Sequence, residues 1–332
     1  MRIVAVEEKS GIPKYKQIVA SIEAAILDGS LKKGDKLPSL NSIKNQNSLS
    51  RDTVLTAFNE LKARGIIHSI VGKGYYVNSE NVDVNQKIFL LFDEFNSFKE
   101  DLYNSFLSNL GENIQVDIFF HHFNTEMFRK LINDNVGDYS AYVIMPANLK
   151  KTEQVIERLP RDKVYILDQT NPDLKAYPSV FQNFEKDIYQ GLETALQKIR
   201  TYRKMILLFP AERQPEGILI GFELFCAEHN IDHEVIDNFT NRELSQGEIY
   251  IVLDDKNLIR IIKRIKEQGL SIAEDIGLIS YNDTLLKEIV EGGITTISTD
   301  FNLMGQRLAQ IILNKEFVQV ENPNRLIIRK SI

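Results

Sequence analysis

The chain has 332 residues, enough for two or three hydrophobic cores, and its 43% apolar and 26% charged content is that of a chain that folds throughout. No apolar run reaches the roughly 18 residues that span a bilayer, MRIVAVEEKSG lacks the apolar core of a signal peptide, and Cys226 stands alone, which excludes internal disulfides and cysteine-rich metal modules; a cytoplasmic location is expected. The net charge of −6 is uneven: residues 1–80 carry 12 Lys+Arg against 8 Asp+Glu, the remainder 28 against 38, so any contact with a polyanion falls to the N-terminal part.

Residues 14–28 place Ile18, Ile22, Ala25 and Ile26 on one helical face, and Gly29 ends that helix. Ser39 suits the N-cap of a short helix through about Asn45. After a turn at 47–49, Ser50 caps a further helix whose Val54, Ala57, Phe58 and Leu61 face inward and which Gly65 stops. Two β-rich runs, 66–71 and 75–77, are joined by Gly72, Lys73 and Gly74. Three helices and a hairpin predict a winged helix-turn-helix over residues 1–77. Residues 78–86 are polar and aperiodic and read as a linker. Beyond them, short apolar strands at 88–92, 116–120, 141–145, 164–168, 205–209, 233–237, 249–253, 276–280, 294–298 and 326–330 alternate with amphipathic helices. The helices fall at 98–110, 125–135, 150–159, 184–202, 216–229, 256–268 and 302–314. The expected class is α/β, with parallel sheets covered on both faces and residues 87–332 folded as two lobes with a cleft.

Within 13–77 the residues Tyr15, Gln17, Ile18, Ile26, Gly29, Gly34 through Ser39, Ser50 through Val54, Leu61, Gly65 through Ile67, Gly72 through Gly74 and Val77 resemble the GntR-type winged-helix DNA-binding domain. Helix-turn-helix proteins reach base edges from the start of their second helix, where Arg51 stands. A guanidinium there can hold guanine O6 and N7 together. Ser39, Ser50 and Thr53 can bond phosphates, Gly72 lets the wing backbone approach a duplex, and Lys73 adds a cation. Ser39 and Ser50 serve equally as helix caps, and 72–74 as an ordinary hairpin turn. Asn41 and Leu55 stand where the family often has Arg, which points to a different operator sequence.

The C-terminal body resembles the sugar-binding domain of lac-repressor-type regulators, the periplasmic-binding-protein type I fold. The residues concerned are Ile276 through Thr284, Ile294 through Phe301, Met304 to Gln306 and Leu326 through Ser331. A GntR-type reader on such a body resembles the arabinose-repressor arrangement. That fold binds small ligands at the carboxyl ends of its strands. The strand-end residues here are Asp93, Phe95, Asp168, Asn183, Asp254, Asp255, Asn282, Asp283 and Phe301. By resemblance, Asp168, Asp254, Asn282 and Phe301 match sugar-contacting positions; all of these residues also suit turns and helix caps. Ile218 replaces an Arg usual in the family, which suggests a ligand with fewer exocyclic hydroxyls, a pentose or deoxyhexose; Arg213 is read as a loop residue. His121 and His122 read as a turn rather than a metal site, and Cys226 as core beside Phe222 and Phe225.

The resemblance thus implies a homodimeric transcriptional regulator. It would repress carbohydrate-use genes from an inverted-repeat operator in double-stranded DNA and be released by a monosaccharide in the cleft. No catalytic residue, metal, cofactor or membrane contact is expected. Two rival readings are an enzyme with a regulatory DNA-binding domain and a DNA-binding scaffold without a small-molecule ligand.

Overall fold

The computed structural model describes residues 3–7, 11–240 and 242–332. They form two compact units. The first holds the described residues up to Phe92 together with Leu110–Ile144 and Lys151–Tyr165; the second holds Asp93–Asn109, Met145–Lys150 and Ile166–Ile332. No helix among the described residues is long and apolar enough to cross a membrane.

The first unit opens with α1 (Lys14–Leu27), α2 (Leu40–Gln46) and α3 (Arg51–Ala63), followed by the hairpin β1 (Ile67–Ile70) and β2 (Gly74–Val77). Ile18, Ile22 and Ile26 of α1 meet Ile43, Val54, Phe58 and Leu61 in one core, closed by Ile67 and Val77. Both expected caps form: the Ser39 hydroxyl accepts from Ser42 N–H at 3.1 Å and the Ser50 hydroxyl from Thr53 N–H at 3.0 Å. The hairpin is antiparallel, with Ile67 opposite Val77. Gly72 sits at φ 72° in its turn, a backbone region costly for residues with a Cβ.

Residues 78–85 are seated rather than loose. Arg64 donates to the carbonyls of Val84 and Val82, each at 2.8 Å, and pairs with Glu23 at 2.6 Å. Val82 and Val84 are buried, and Lys62 reaches Asp138 at 2.7 Å. Replacing Arg64 by Ala leaves two carbonyls and a partly buried carboxylate without their donor. Loss of about 1–3 kcal/mol is expected, with faster amide hydrogen exchange across 78–85. Exchange at the wild-type rate in the variant would show that these bonds do not hold the segment.

The body part of this unit holds β3 (Gln86–Phe92), β4 (Ile114–Phe120) and β5 (Ala141–Ile144), with α5 (Thr125–Asp134) and α6 (Glu153–Ile156). β3 runs parallel to β4 on one side and β5 on the other, and Ile88 through Phe92 are wholly buried, as a central parallel strand requires. β3 begins one residue inside the expected linker. The helix expected at 150–159 shrinks to four residues. Lys151 takes φ 59°, which no right-handed helix includes, and Pro160 follows.

In the second unit, Ile166 to Asp168 of β6 (Val164–Asp168) pair with β7 (Ser179–Phe181), and β7 with β13 (Gln319–Glu321), all in parallel. A six-stranded sheet has the order β14-β12-β11-β10-β8-β9. Its strands are β8 (Lys204–Leu208), β9 (His233–Ile236), β10 (Glu248–Val252), β11 (Ile276–Tyr281), β12 (Thr295–Thr299) and β14 (Asn324–Ile327). β14 is antiparallel to β12, so this sheet departs from the expected all-parallel arrangement at its edge. The unit's helices are α4 (Ser97–Asn109), α7 (Phe184–Ile199), α8 (Glu216–His229), α9 (Asp255–Glu267), α10 (Leu285–Ile289) and α11 (Phe301–Asn314). α4 and α11 pack closely at Gly305, where a Cβ would lie 2.5 Å from the Leu102 carbonyl oxygen. Cys226 lies in the core with Phe222 and Phe225, and burial pushes its thiol up to about 12.

Candidate functional site

Two concave surfaces, one in each unit, carry some of the candidate residues. In the first, Ser39, Arg51 and Lys73 line a depression of about 290 Å³ with Lys36, Asn41 and Tyr75. The caps explain the convergence. Ser39 caps α2 and Ser50 caps α3, and residues of the two first turns, Leu40, Asn41 and Arg51, share the depression with Lys73 and Gly74 of the wing. Arg51 is exposed and makes no side-chain bond among the described residues. Ser50 and Thr53 bond each other at 2.8 Å. Lys36 pairs as an isolated bridge with Tyr76, and its ammonium lies 6.0 Å above that ring. Lys36, Asn41 and Tyr75 were not singled out from sequence as site residues; only the fold of the wing onto 36–41 brings them in.

In the second unit, a cavity of about 430 Å³ is lined by Asn148, Gln169, Thr170, Phe181, Gln182, Asn183, Phe184, Glu185, Pro215, Glu216 and Gly217. These residues come from the loop after β5 (Asn148), the loop after β6, the end of β7 and the residues after it, and the first turns of α7 and α8. Asn183 is the expected site residue among them; it also caps α7, accepting from Lys186 N–H at 3.3 Å. Asn148 donates its amide to the Gln214 carbonyl and so ties its loop to the start of α8.

Asp168, the last residue of β6, directly precedes the lining residue Gln169 and is not itself in the lining. Its φ is 71°, and Gln169 N–H bonds the Leu167 carbonyl at 2.9 Å, the pattern of a strained γ-turn. Its carboxylate accepts from the Gln182 amide at 2.5 Å, and Gln182 N–H donates to the Asp168 carbonyl at 2.9 Å. Asp93 is buried beside it in an ion pair with Lys99. Burial pushes the Asp168 carboxyl up to about 6, against the pull of Lys99 and with a further push from Asp93. Lys99 was not foreseen, because nothing in its local sequence distinguishes it from other helix lysines.

The remaining expected residues lie elsewhere in the unit. Asp254 caps α9, accepting from Asn257 N–H at 2.9 Å and from its side-chain amide at 2.8 Å. Asp255 pairs at 3.0 Å with Lys287, whose buried ammonium also donates to the carbonyls of Tyr281 and Asn282. Asn282 takes φ 60° with its carbonyl oxygen Oδ1 buried and unpartnered. Asp283 holds Arg329 bidentately at 2.7 Å; despite burial, Arg329 and the Thr296 hydroxyl keep its carboxyl below the usual range. Phe301 is buried and stacks on Phe98 at 4.9 Å, whereas Phe95 is exposed. None of these six residues lines the 430 Å³ cavity. Ile218 is buried in the core under α8, and Arg213 is an exposed loop residue 4.0 Å from Glu94.

Comparison with known proteins follows this division. The family "Bacterial regulatory proteins, gntR family" matches residues 14–77, and "Periplasmic binding protein-like domain" matches 199–332. The arabinose metabolism transcriptional repressor of Geobacillus stearothermophilus is 22% identical over 91% of both chains. The HTH-type transcriptional repressor YtrA of Bacillus subtilis is 31% identical over 30% of this chain and 73% of its own. Among solved structures, a dimeric Lac repressor with an 11-residue C-terminal deletion superposes with a TM-score of 0.65 at 17% identity, covering 74% of this chain and 98% of that one. The trehalose repressor from Escherichia coli gives 0.61 at 14% identity, over 73% and 99%. These structural likenesses show the fold: the body is of the lac-repressor, periplasmic-binding-protein type.

Proposed function

We propose that this chain, which belongs to the gntR family of bacterial regulatory proteins and carries a periplasmic binding protein-like domain, is a transcriptional repressor released by a small sugar. The winged helix would read double-stranded DNA through Arg51, with Ser39, Ser50, Thr53, Gly72 and Lys73 at phosphates and backbone. The effector would occupy the 430 Å³ cavity, a size that suits a monosaccharide. The observation that carries this reading is the lining itself. Amides of Asn148, Gln169, Gln182 and Asn183 and the Thr170 hydroxyl stand beside two phenylalanines, the mixture that meets hydroxyls on one side and a sugar's apolar face on the other. A pentose or deoxyhexose remains our choice of sugar, and a homodimer on an inverted repeat our choice of assembly. By linkage, DNA must weaken sugar binding by the factor by which sugar weakens DNA binding.

The test is a melting scan of the full chain against pentoses, hexoses and 6-deoxyhexoses, followed by titration of its own upstream DNA with and without the compound found. A sugar at 100 times its Kd adds about 2.7 kcal/mol to stability, an easily measured shift. A compound that raises the melting temperature and leaves DNA affinity unchanged would overturn the repressor-release reading.

The site also carries a pH signature. Above about pH 6 Asp168 is ionised and grips the Gln182 amide with a charge-assisted bond; below it the bond weakens. Sugar affinity should therefore fall several-fold as pH drops from 7 to 5. For folding the sign is opposite. The folded state holds this proton more tightly than an unfolded carboxyl of about 3.9, so the stabilisation from this group is present at low pH. It is lost as pH rises from about 4 through about 6. Isothermal titration checks the affinity and denaturant unfolding the stability, each at several pH values, with Asp168→Asn as the control that removes the titration.

A further inference from the structure

We infer that the cavity takes an uncharged, polyhydroxylated ligand and rejects its phosphorylated and acidic forms. This rests on the effector reading above and narrows it to one ligand class. Glu185 and Glu216 line the cavity, and neither makes an ion pair among the described residues. Among the described residues no Lys, Arg or His lines it. Lys99, the buried cation of the neighbouring quartet, is already engaged by Asp93 and lies close enough to Asp168 to shift its carboxyl. The positive ends of α7 and α8 open at the cavity and would by themselves attract an anion. Their first turns, however, carry Glu185 on one helix and Glu216 on the other, so that attraction is offset at its source.

A second observation concerns two polar atoms of the lining residues that lack a partner. Gln182 is 95% buried, with a relative exposure of 5%, and donates its amide nitrogen to Asp168. Its carbonyl oxygen Oε1 has no partner, nor has the Thr170 hydroxyl. Buried acceptors of this kind call for donors, and hydroxyl groups supply them without bringing charge. A phosphate or carboxylate offers acceptors to acceptors and meets two carboxylates as well. Phosphorylation of such a ligand would end its binding, so a kinase acting on the sensed compound would switch the signal off.

The experiment uses matched pairs with the full chain: L-fucose with L-fucose 1-phosphate, D-ribose with D-ribose 5-phosphate, and D-galactose with D-galactose 6-phosphate and D-galacturonate. Isothermal titration at 50 and 500 mM salt gives each Kd. At low salt the neutral member of the pair that binds should be at least 100-fold tighter than its charged form. The ratio should narrow several-fold at high salt, because the two glutamates are exposed and screened. In the Glu185→Gln, Glu216→Gln double variant it should narrow by about 10-fold. A charged member that binds as well as its neutral partner would sink this inference and leave the effector reading standing. If no member of any pair binds, the effector reading falls and takes this inference with it. Circular dichroism of the double variant separates a lost fold from a changed preference.

Discussion

Arg51→Ala is expected to weaken binding to the chain's own upstream DNA by about 1–3 kcal/mol per half-site, roughly 5- to 150-fold, and to relax the sequence preference there. The reason lies in the architecture of the α3 start. Ser50 caps the helix with a 3.0 Å bond, so removing the neighbouring side chain does not unravel it. Arg51 makes no side-chain bond among the described residues, so the melting temperature should hardly move. Lys73→Ala is the contrasting variant. It removes a point charge on the wing, so affinity should fall evenly across DNA sequences, with a salt slope smaller by about one. Anisotropy titrations over a range of salt, on specific and scrambled duplexes, distinguish the two. An Arg51→Ala protein that keeps full specificity would remove this residue from the reader's list.

Gln182→Leu is expected to cost the cavity its ligand to a comparable degree. Gln182 lines the cavity, and a ligand hydroxyl left facing Leu in its place costs about 1–3 kcal/mol. Roughly 5- to 150-fold loss of sugar affinity follows for Gln182→Leu. Asp168→Ala should lose a similar amount although Asp168 is not itself in the lining, because the Gln182 side-chain amide then loses the carboxylate that holds it. The double variant should lose little more than either single one, since the two act as one unit. Fully additive losses would mean that Asp168 meets the ligand by a route of its own. Removing the Asp168 carboxyl also leaves Lys99 to Asp93 alone, and relieves a buried charge that burial disfavours. Stability should therefore change by less than affinity does.

The order of difficulty in reading this chain follows the range of the interactions. The winged helix was legible because its signals are local: a cap at Ser39, a cap at Ser50, a stop at Gly29 and Gly65, and apolar residues at helical spacing between them. Runs such as Ile88 through Phe92 announce buried parallel strands in the same way. β7 and β13 carry no such signal, since three residues cannot display a period. β14 looks from sequence like any apolar strand, and its direction is settled by its antiparallel pairing with β12 after the short turn that follows β13.

The pocket tells the same story residue by residue. Strand ends rich in Asp and Asn were visible, and with them Asn183 and the neighbourhood of Asp168. Which polar groups share a cavity was not, because Asn148, Gln182 and Glu216 come from segments far apart in the chain and meet only through the packing of their strands and helices. Asp283 shows the reverse: a strand-end carboxylate suited to a ligand, held instead by Arg329, 46 residues further on. Local sequence thus determined the elements, their caps and the DNA-reading motif, where each residue's nearest partners lie within a turn or two. The 430 Å³ cavity and the identity of its lining were decided by tertiary structure, because a buried charge or amide takes whichever partner the fold brings to it, and that partner has no fixed spacing along the chain.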